Sequence, residues 1–467
     1  MRLHFLGGTR IASGNSYLLE VNDKKILIDC GMYQGNKKLE NKNFGPFDFA
    51  PQEIDFVIVT HSHLDHIGRL PMLIKEGFRG KIFATPPTIE FTRVMLEDTR
   101  RVLQEKAQKA GRLPLFAEKE IDEMMNFFEA IEYHEKKELA PGISFEFFEA
   151  GHILGSAFVK LEVKSLPRGS ETTLRDEKLK VGRTIVFSGD LGNTPVPILR
   201  PLETIQEADY VLVESVYGDR LHETNKEAKE TVEDAVEDAI SKKGVLMIPS
   251  FAMERAQQLL YHLNELVENK RIPAVPIFFD SPLAIRITKI YEKFPQYFNK
   301  EAQGLIKSGD DIFKFPGLRI TSSVKESKGI NDIPAPKIII AGSGMSQGGR
   351  ILHHEARYLP DAKNTLLMVT YQAAGTLGRQ ILEGENEVEI LDQKIPVRAA
   401  IKSISGYSAH ADQKGLVEWL EAIRKPIKKI FVVQGEEKPA LALVQIIKDR
   451  MGIVAEAPEM GDVVELE

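Results

Sequence analysis

Four short apolar runs in this chain end on a residue able to hold a cation. ILI leads into Asp29, FVIVT into His61, TIVFSG into Asp190 and YVLV into Glu214. Runs of this length, rich in Val, Ile and Phe and bounded by turn residues or helix-like segments, read as strands of an α/β fold with helix-covered sheets. VLMIPS (245–250), KIIIAG (337–342), TLLMVT (365–370) and IFVVQ (430–434) belong to the same set, and helical stretches are expected at about 87–110, 118–130, 224–243, 253–269 and 413–424. In open α/β sheets, ligands gather beyond the carboxyl ends of the strands. Side chains far apart in sequence can therefore converge there.

A chain of 467 residues is expected to form two or more domains. No apolar run approaches the roughly 18–20 residues that span a bilayer, and the start of the chain lacks the pattern of a signal peptide. Cys30 is the single cysteine, which excludes an internal disulfide and suits a reducing, cytoplasmic setting. The net charge of −7 argues against a general polyanion-binding surface, so nucleic-acid contacts would rest on a local basic patch or on metal ions. Polar residues 164–182 read as a long hairpin loop, and 322–337 as a connector.

The densest chemistry lies in VTHSHLDHIGRLP (59–71), which packs His61, His63, Asp65 and His66 into six residues. Imidazole and carboxylate suit Zn²⁺. In an extended or turning segment, residues two apart point the same way, so His61 and His63 can share one ion while Asp65 and His66 face another. EAGHILGSAF adds His152 in a glycine-flanked turn, and FSGDLGN adds Asp190. Alone, each is an ordinary turn residue. Beside the first motif they suggest a two-metal hydrolytic site, in which a carboxylate bridges ions about 3.5–4 Å apart.

HSHLDH, AGHILGSA and FSGDLGN, with Asp29 upstream, resemble the metallo-β-lactamase superfamily. LVESVYGDR, PSFAMERAQQLLYHL, FFDSPLA, AGSGMSQGGRILHH and SGYSAHAD resemble the β-CASP nucleases, and most of all the bacterial and archaeal relatives of the mRNA 3′-end-processing endonuclease. The resemblance implies an αββα metallo-β-lactamase sandwich built from residues 1–214 and 386–467, with an inserted α/β β-CASP cap at 215–385. It implies a Zn²⁺ site of His61, His63 and His152, a second of Asp65 and His66, and Asp190 as the bridge. Asp29 matches the carboxylate that orients the site, and Glu214 with His410 the pair that protonates the leaving group. The implied reaction is hydrolysis of single-stranded RNA by endonuclease or 5′ exonuclease action, with Mn²⁺ as an alternative metal and a homodimer within the family's range.

The resemblance breaks at one position. The family's last ligand of the second metal is a histidine at a strand end, and here VVQGEE places Gln434 there. An amide oxygen is a weaker zinc donor than imidazole. The residue therefore predicts a weak or lost second metal, hence either an impaired ribonuclease or a catalytically weak RNA-binding subunit. In the glycine-rich AGSGMSQGGR (341–350), Ser343 and Gly344 are candidates to cradle a phosphate, as are Arg350, Arg379 and Arg255 by charge. The alternative for the turn is a tight strand–helix connection, and for each arginine a solvated face. His353 and His354, on an expected helix, read as packing or surface residues.

Overall fold

The computed structural model describes all residues except 110, 112, 165–181, 194–195, 223–224, 374 and 405–407. The expected hairpin loop at 164–182 and the first residues of SGYSAHAD thus lie largely outside the described residues. Two compact units emerge, one of Met1–Thr194, Pro201–Leu221 and His410–Glu467, the other of Pro195–Arg200 and His222–Ala409.

The first unit holds two seven-stranded sheets. One runs Val463–Glu465, Arg2–Gly7, Ser16–Val21, Lys24–Ile28, Phe56–Ile58, Lys81–Ala84 and Phe128–Ala130. Its pairs are antiparallel up to Lys24–Ile28 and parallel beyond. The other runs Ala455–Glu456, Lys429–Val432, Tyr210–Val213, Arg183–Phe187, Ala157–Val163, Ile143–Glu149 and Lys137–Ala140, parallel as far as Arg183–Phe187 and antiparallel after it.

The unbroken apolar runs follow from burial on both faces of each sheet. Along Ile26-Leu27-Ile28, alternate side chains enter different cores: Ile26 and Ile28 face the second sheet, and Leu27 faces the helices behind. Leu212 and Phe431 meet the shared core, whereas Val211, Val213, Ile430 and Val432 pack on the helices Gln413–Glu421 and Glu437–Met451. Phe5 of the first sheet and Phe431 of the second lie with ring centroids 5.2 Å apart in that shared core. Helix, sheet, sheet and helix thus stack as the αββα arrangement.

The second unit is a parallel six-stranded sheet in the order Leu318–Ile320, Ile277–Asp280, Lys337–Ala341, Val245–Pro249, Thr365–Met368 and Ala400–Ser403. A small antiparallel ribbon joins Glu387–Ile390 to Gln393–Pro396 through Leu391 and Asp392, both left-handed (φ 53° and 60°), the geometry of a tight hairpin turn.

Two local expectations need correction. The helix expected over 118–130 ends at Met125, and Phe128–Ala130 is an edge strand, because pairing with Lys81–Ala84 overrides the local helical pattern. The connector at 322–337 contains a helix, Val324–Gly329, nucleated by a capping box between Ser323 and Glu326. Cys30 is buried and free, and burial pushes its thiol up to about 12.

Candidate metal centre

Strand ends and the turns that follow them in the first unit place most residues of the candidate centre. After Phe56–Ile58 the chain stays extended through His63, which caps one helical turn, Leu64–Ile67. His66 N–H donates to the His63 carbonyl (2.9 Å), so Asp65 and His66 turn away from the extended His61-Ser62-His63 stretch. His152 sits in a turn closed by its N–H donating to Ser156 Oγ (3.1 Å). Gly192, just past Asp190, lies so close to that turn that a Cβ would fall 1.9 Å from the Gly151 carbonyl oxygen. No larger residue fits there.

His61 Nε2 is 3.2 Å from His63 Nδ1, and His152 Nε2 is 3.0 Å from the same atom. Asp190 Oδ2 lies 3.4 Å from His61 Nε2 and 3.3 Å from His152 Nε2. Zinc–ligand bonds of about 2.0–2.1 Å in a tetrahedron put the ligand atoms roughly 3.3–3.4 Å apart. These four contacts are close to the edge length of a zinc tetrahedron, all four donor atoms lie within 4.8 Å of one another, and their chemistry fits that ion. Burial first, and then neighbouring imidazoles, hold the pKa of His63 well below its usual value, with Asp190 opposing. His152 is lowered by the same causes. Both rings are thereby kept neutral, the form that ligates.

Asp29 supports the set from behind. Its carboxylate accepts from Thr60 N–H (2.8 Å), Thr60 Oγ1 (2.8 Å) and His66 Nδ1 (2.7 Å). Thr60 Oγ1 is also 3.1 Å from His61 Nδ1, so one carboxylate orients two rings. Outer partners of this kind are typically worth roughly 10–100-fold in metal affinity. Asp29→Asn is expected to weaken zinc retention by about that factor, read by chelator competition on the folded variant.

The second group of donors differs. His66 Nε2 lies 3.1 Å from Asp190 Oδ1 and 3.7 Å from Asp65 Oδ2, but two amides reach into the same space. Gln434 Nε2 is 2.9 Å from His66 Nε2 and donates to Asp190 Oδ1. Asn15 Nδ2 is 2.9 Å from His66 Nε2 and donates to Asp65 Oδ2 (3.4 Å). Asn15 lies outside every motif and Thr60 within VTHSHLDHIGRLP, and neither is among the expected site residues. Burial raises the Asp65 pKa, with Asp190 adding to it and His66 opposing. Burial likewise opposes charge on Asp190, yet His66, His61 and His152 hold its pKa well below the usual carboxylate range. Burial also opposes charge on His66, while Asp190, Asp29 and Asp65 outweigh it and favour the imidazolium. Two amide nitrogens pointed at Nε2 demand the opposite, a neutral ring with its proton on Nδ1 toward Asp29.

Glu214 and His410 close the other side. His410 Nδ1 is 3.2 Å from both Glu214 oxygens and 3.8 Å from Asp190 Oδ2. Leu191 N–H donates to Glu214 Oε1 (2.6 Å), and Gly192 bridges to His410 through the backbone, so the loop bearing Asp190 also sets this pair. Burial raises the Glu214 pKa, with His410 opposing.

The phosphate-cradle candidates belong to the second unit. Arg350 donates to Asp280 Oδ1 (2.7 Å) and to the carbonyls of Thr321 and Ser322 (2.8 Å each), while buried His354 pairs with Asp280 Oδ2 (2.8 Å). Both tie the turn to a strand end. Arg255 is buried with Gln258 and Glu254. Arg379 is exposed and pairs with Glu383 (2.6 Å). Ser343 Oγ accepts from Gln347 N–H (3.0 Å), and the Gly344 carbonyl accepts from Thr370 Oγ1 (2.8 Å) and Gln372 Nε2 (3.0 Å). These bonds are those of a tight strand–helix connection.

Comparison with known proteins agrees with this architecture. Residues 18–166 match the Metallo-beta-lactamase superfamily domain, 256–381 the Beta-Casp domain, and 394–458 the Zn-dependent metallo-hydrolase RNA specificity domain. The chain is similar to Ribonuclease TTHA0252 of Thermus thermophilus, at 38% identity over 96% of each chain. It is also similar to transcription termination factor FttA of Methanocaldococcus jannaschii, at 30% identity over 96% of this chain and 69% of that protein. A solved protein of unknown function from Enterococcus faecalis V583 shares the fold, with a TM-score of 0.52 at 12% identity over 100% of this chain and 99% of the other. Among the described residues, no helix is long and apolar enough to cross a membrane.

Proposed function

We infer that this chain, which belongs to the β-CASP ribonuclease family of the metallo-β-lactamase superfamily, is a zinc-dependent hydrolase of phosphodiester bonds in single-stranded RNA. The observation that carries the reading is the clustering of donor atoms of His61, His63, His152 and Asp190 within 4.8 Å of one another, beside the Glu214–His410 pair. Likeness to a ribonuclease over nearly its whole length, and to an RNA specificity domain over 394–458, supports RNA over DNA.

A zinc ion held by that set supplies Lewis-acid chemistry, withdrawing charge from a phosphate oxygen and acidifying water. The chain's own residues do the rest. Asp29, through Thr60 and His66, fixes the ring orientations. Asp65 presents a carboxylate oxygen 3.7 Å from His66 Nε2. His410, gripped at Nδ1 by a fully buried Glu214 and itself part-exposed, donates a proton to the departing oxygen.

End-labelled single-stranded RNA tests the reading. Cleavage is expected with zinc or manganese, to be lost on chelation and restored by adding the metal back. The size of the first products separates endonuclease from 5′ exonuclease action. RNA that is bound yet uncut under every metal condition would instead support the second reading, a catalytically weak RNA-binding subunit. Gln434 is the one residue that favours it.

A further inference from the structure

We propose that the side-chain amide of Gln434 takes the place of a second cation, so that the centre holds one zinc ion and excludes another. The inference rests on the metal centre assigned above, and is independent of whether RNA is the substrate.

Asp190 Oδ1 and Asp65 Oδ2 lie 3.1 and 3.7 Å from His66 Nε2, a looser set than the first four donors, whose atoms all lie within 4.8 Å of one another. What stands among them is N–H. The Gln434 amide nitrogen contacts both His66 Nε2 and Asp190 Oδ1, and Asn15 contacts His66 Nε2 and Asp65 Oδ2 from another side. An amide nitrogen has no lone pair to give a metal. Its hydrogens carry partial positive charge toward the same two atoms a cation would bind, without the charge or the Lewis acidity of an ion.

The backbone keeps it there. Gln434 is 2% exposed and sits in the left-handed region (φ 46°), its N–H donating to the Gly8 carbonyl (2.5 Å). Its own carbonyl accepts from Ser215 N–H (3.3 Å). Gly435 then passes so close to Ser215 that a Cβ would fall 2.3 Å from Ser215 Oγ. Turning the amide over would aim its oxygen at Asp190 Oδ1, setting acceptor against acceptor. A second cation could enter only by forcing that turn.

Two variants separate a plug from a weak ligand. The full chain, Gln434→Ala and Gln434→His would each be saturated with Zn²⁺ and freed of unbound metal. Elemental analysis then counts ions per chain, and chelator competition measures each affinity. The parent is expected to retain one zinc. Gln434→Ala, which unbridges the three donors, is expected to bind a second roughly tenfold or more tightly than the parent, within the usual 10–100-fold span of such partners. Gln434→His is expected to bind it more tightly still. A parent that holds two zinc ions, or a Gln434→Ala variant whose second affinity falls, makes the amide a ligand and overturns the proposal. So does a chain that holds no zinc at all. Zinc counts as expected with no RNA cleavage by any variant would sink the ribonuclease reading alone. Unchanged thermal unfolding and a retained first zinc show that the variants are folded.

Discussion

Asp190→Ala is expected to release the bound zinc and to cut RNA cleavage by on the order of 10³-fold or more, the scale on which preorganised electrostatic groups act. One carboxylate serves two clusters here: Oδ2 faces His61 and His152, and Oδ1 faces His66 and the Gln434 amide. It is also the main negative charge within reach of His61 and His152, and the four nearby imidazoles hold its pKa well below the usual range despite burial. Removing it leaves three lone pairs with no anionic partner, so the ion loses a ligand and most of its charge compensation together. Elemental analysis should find less than one zinc per chain, and turnover should fall while RNA affinity changes little. Asp190→Asn separates the two effects: it keeps the volume and hydrogen bonding, loses the charge, and is expected to fall between parent and Asp190→Ala. A variant with full zinc content and near-parent turnover would remove Asp190 from the centre.

The strands that build the centre were legible because their side chains are buried on both faces, which forces continuous apolar runs. A residue ending such a run is the first able to be polar, and so Asp29, His61, Asp190, Glu214 and Gln434 stood out. The edges of the sheets were harder to read. Phe128–Ala130 has one neighbouring strand and a half-exposed surface, so no apolar run marks it and the preceding helix hides it. Asn15 was invisible for another reason. Its place depends on its N–H donating to the Asp65 carbonyl (2.8 Å) and its carbonyl accepting from Gly31 N–H (2.9 Å), contacts across three separate segments. An asparagine in a Gly-Asn-Ser turn carries no trace of them. Likewise, Gln434 could be read as a missing imidazole, but the direction of its amide is a property of the packed site. Arg350 shows the reverse hazard: the sequence leaves it between a phosphate contact and a solvated face, and does not show that Asp280 Oδ1 lies 2.7 Å from it.

His410→Ala is expected to lower kcat by roughly 10²–10⁴-fold, the usual contribution of a general acid, with little change in KM. The pH profile distinguishes that role from a structural one. Burial opposes charge on His410, but Glu214 first and Asp190 next raise its pKa to about 9. The proton donor is the protonated ring, so activity should hold below that value and fall as pH rises through it. A cation beside Asp190 draws the limb below about 9 and leaves the share owed to Glu214. Glu214→Gln keeps a hydrogen-bond partner at Nδ1 but removes the charge, so the limb should move down toward the ordinary histidine value of about 6.5. At about pH 8 the protonated fraction in Glu214→Gln should therefore fall well below the parent's. At about pH 5.5, where both forms are protonated, the parent and Glu214→Gln should converge. His410→Ala should show no such limb at all. If Glu214→Gln loses the same factor at every pH, Glu214 only holds the loop through Leu191, and the proton must come from elsewhere.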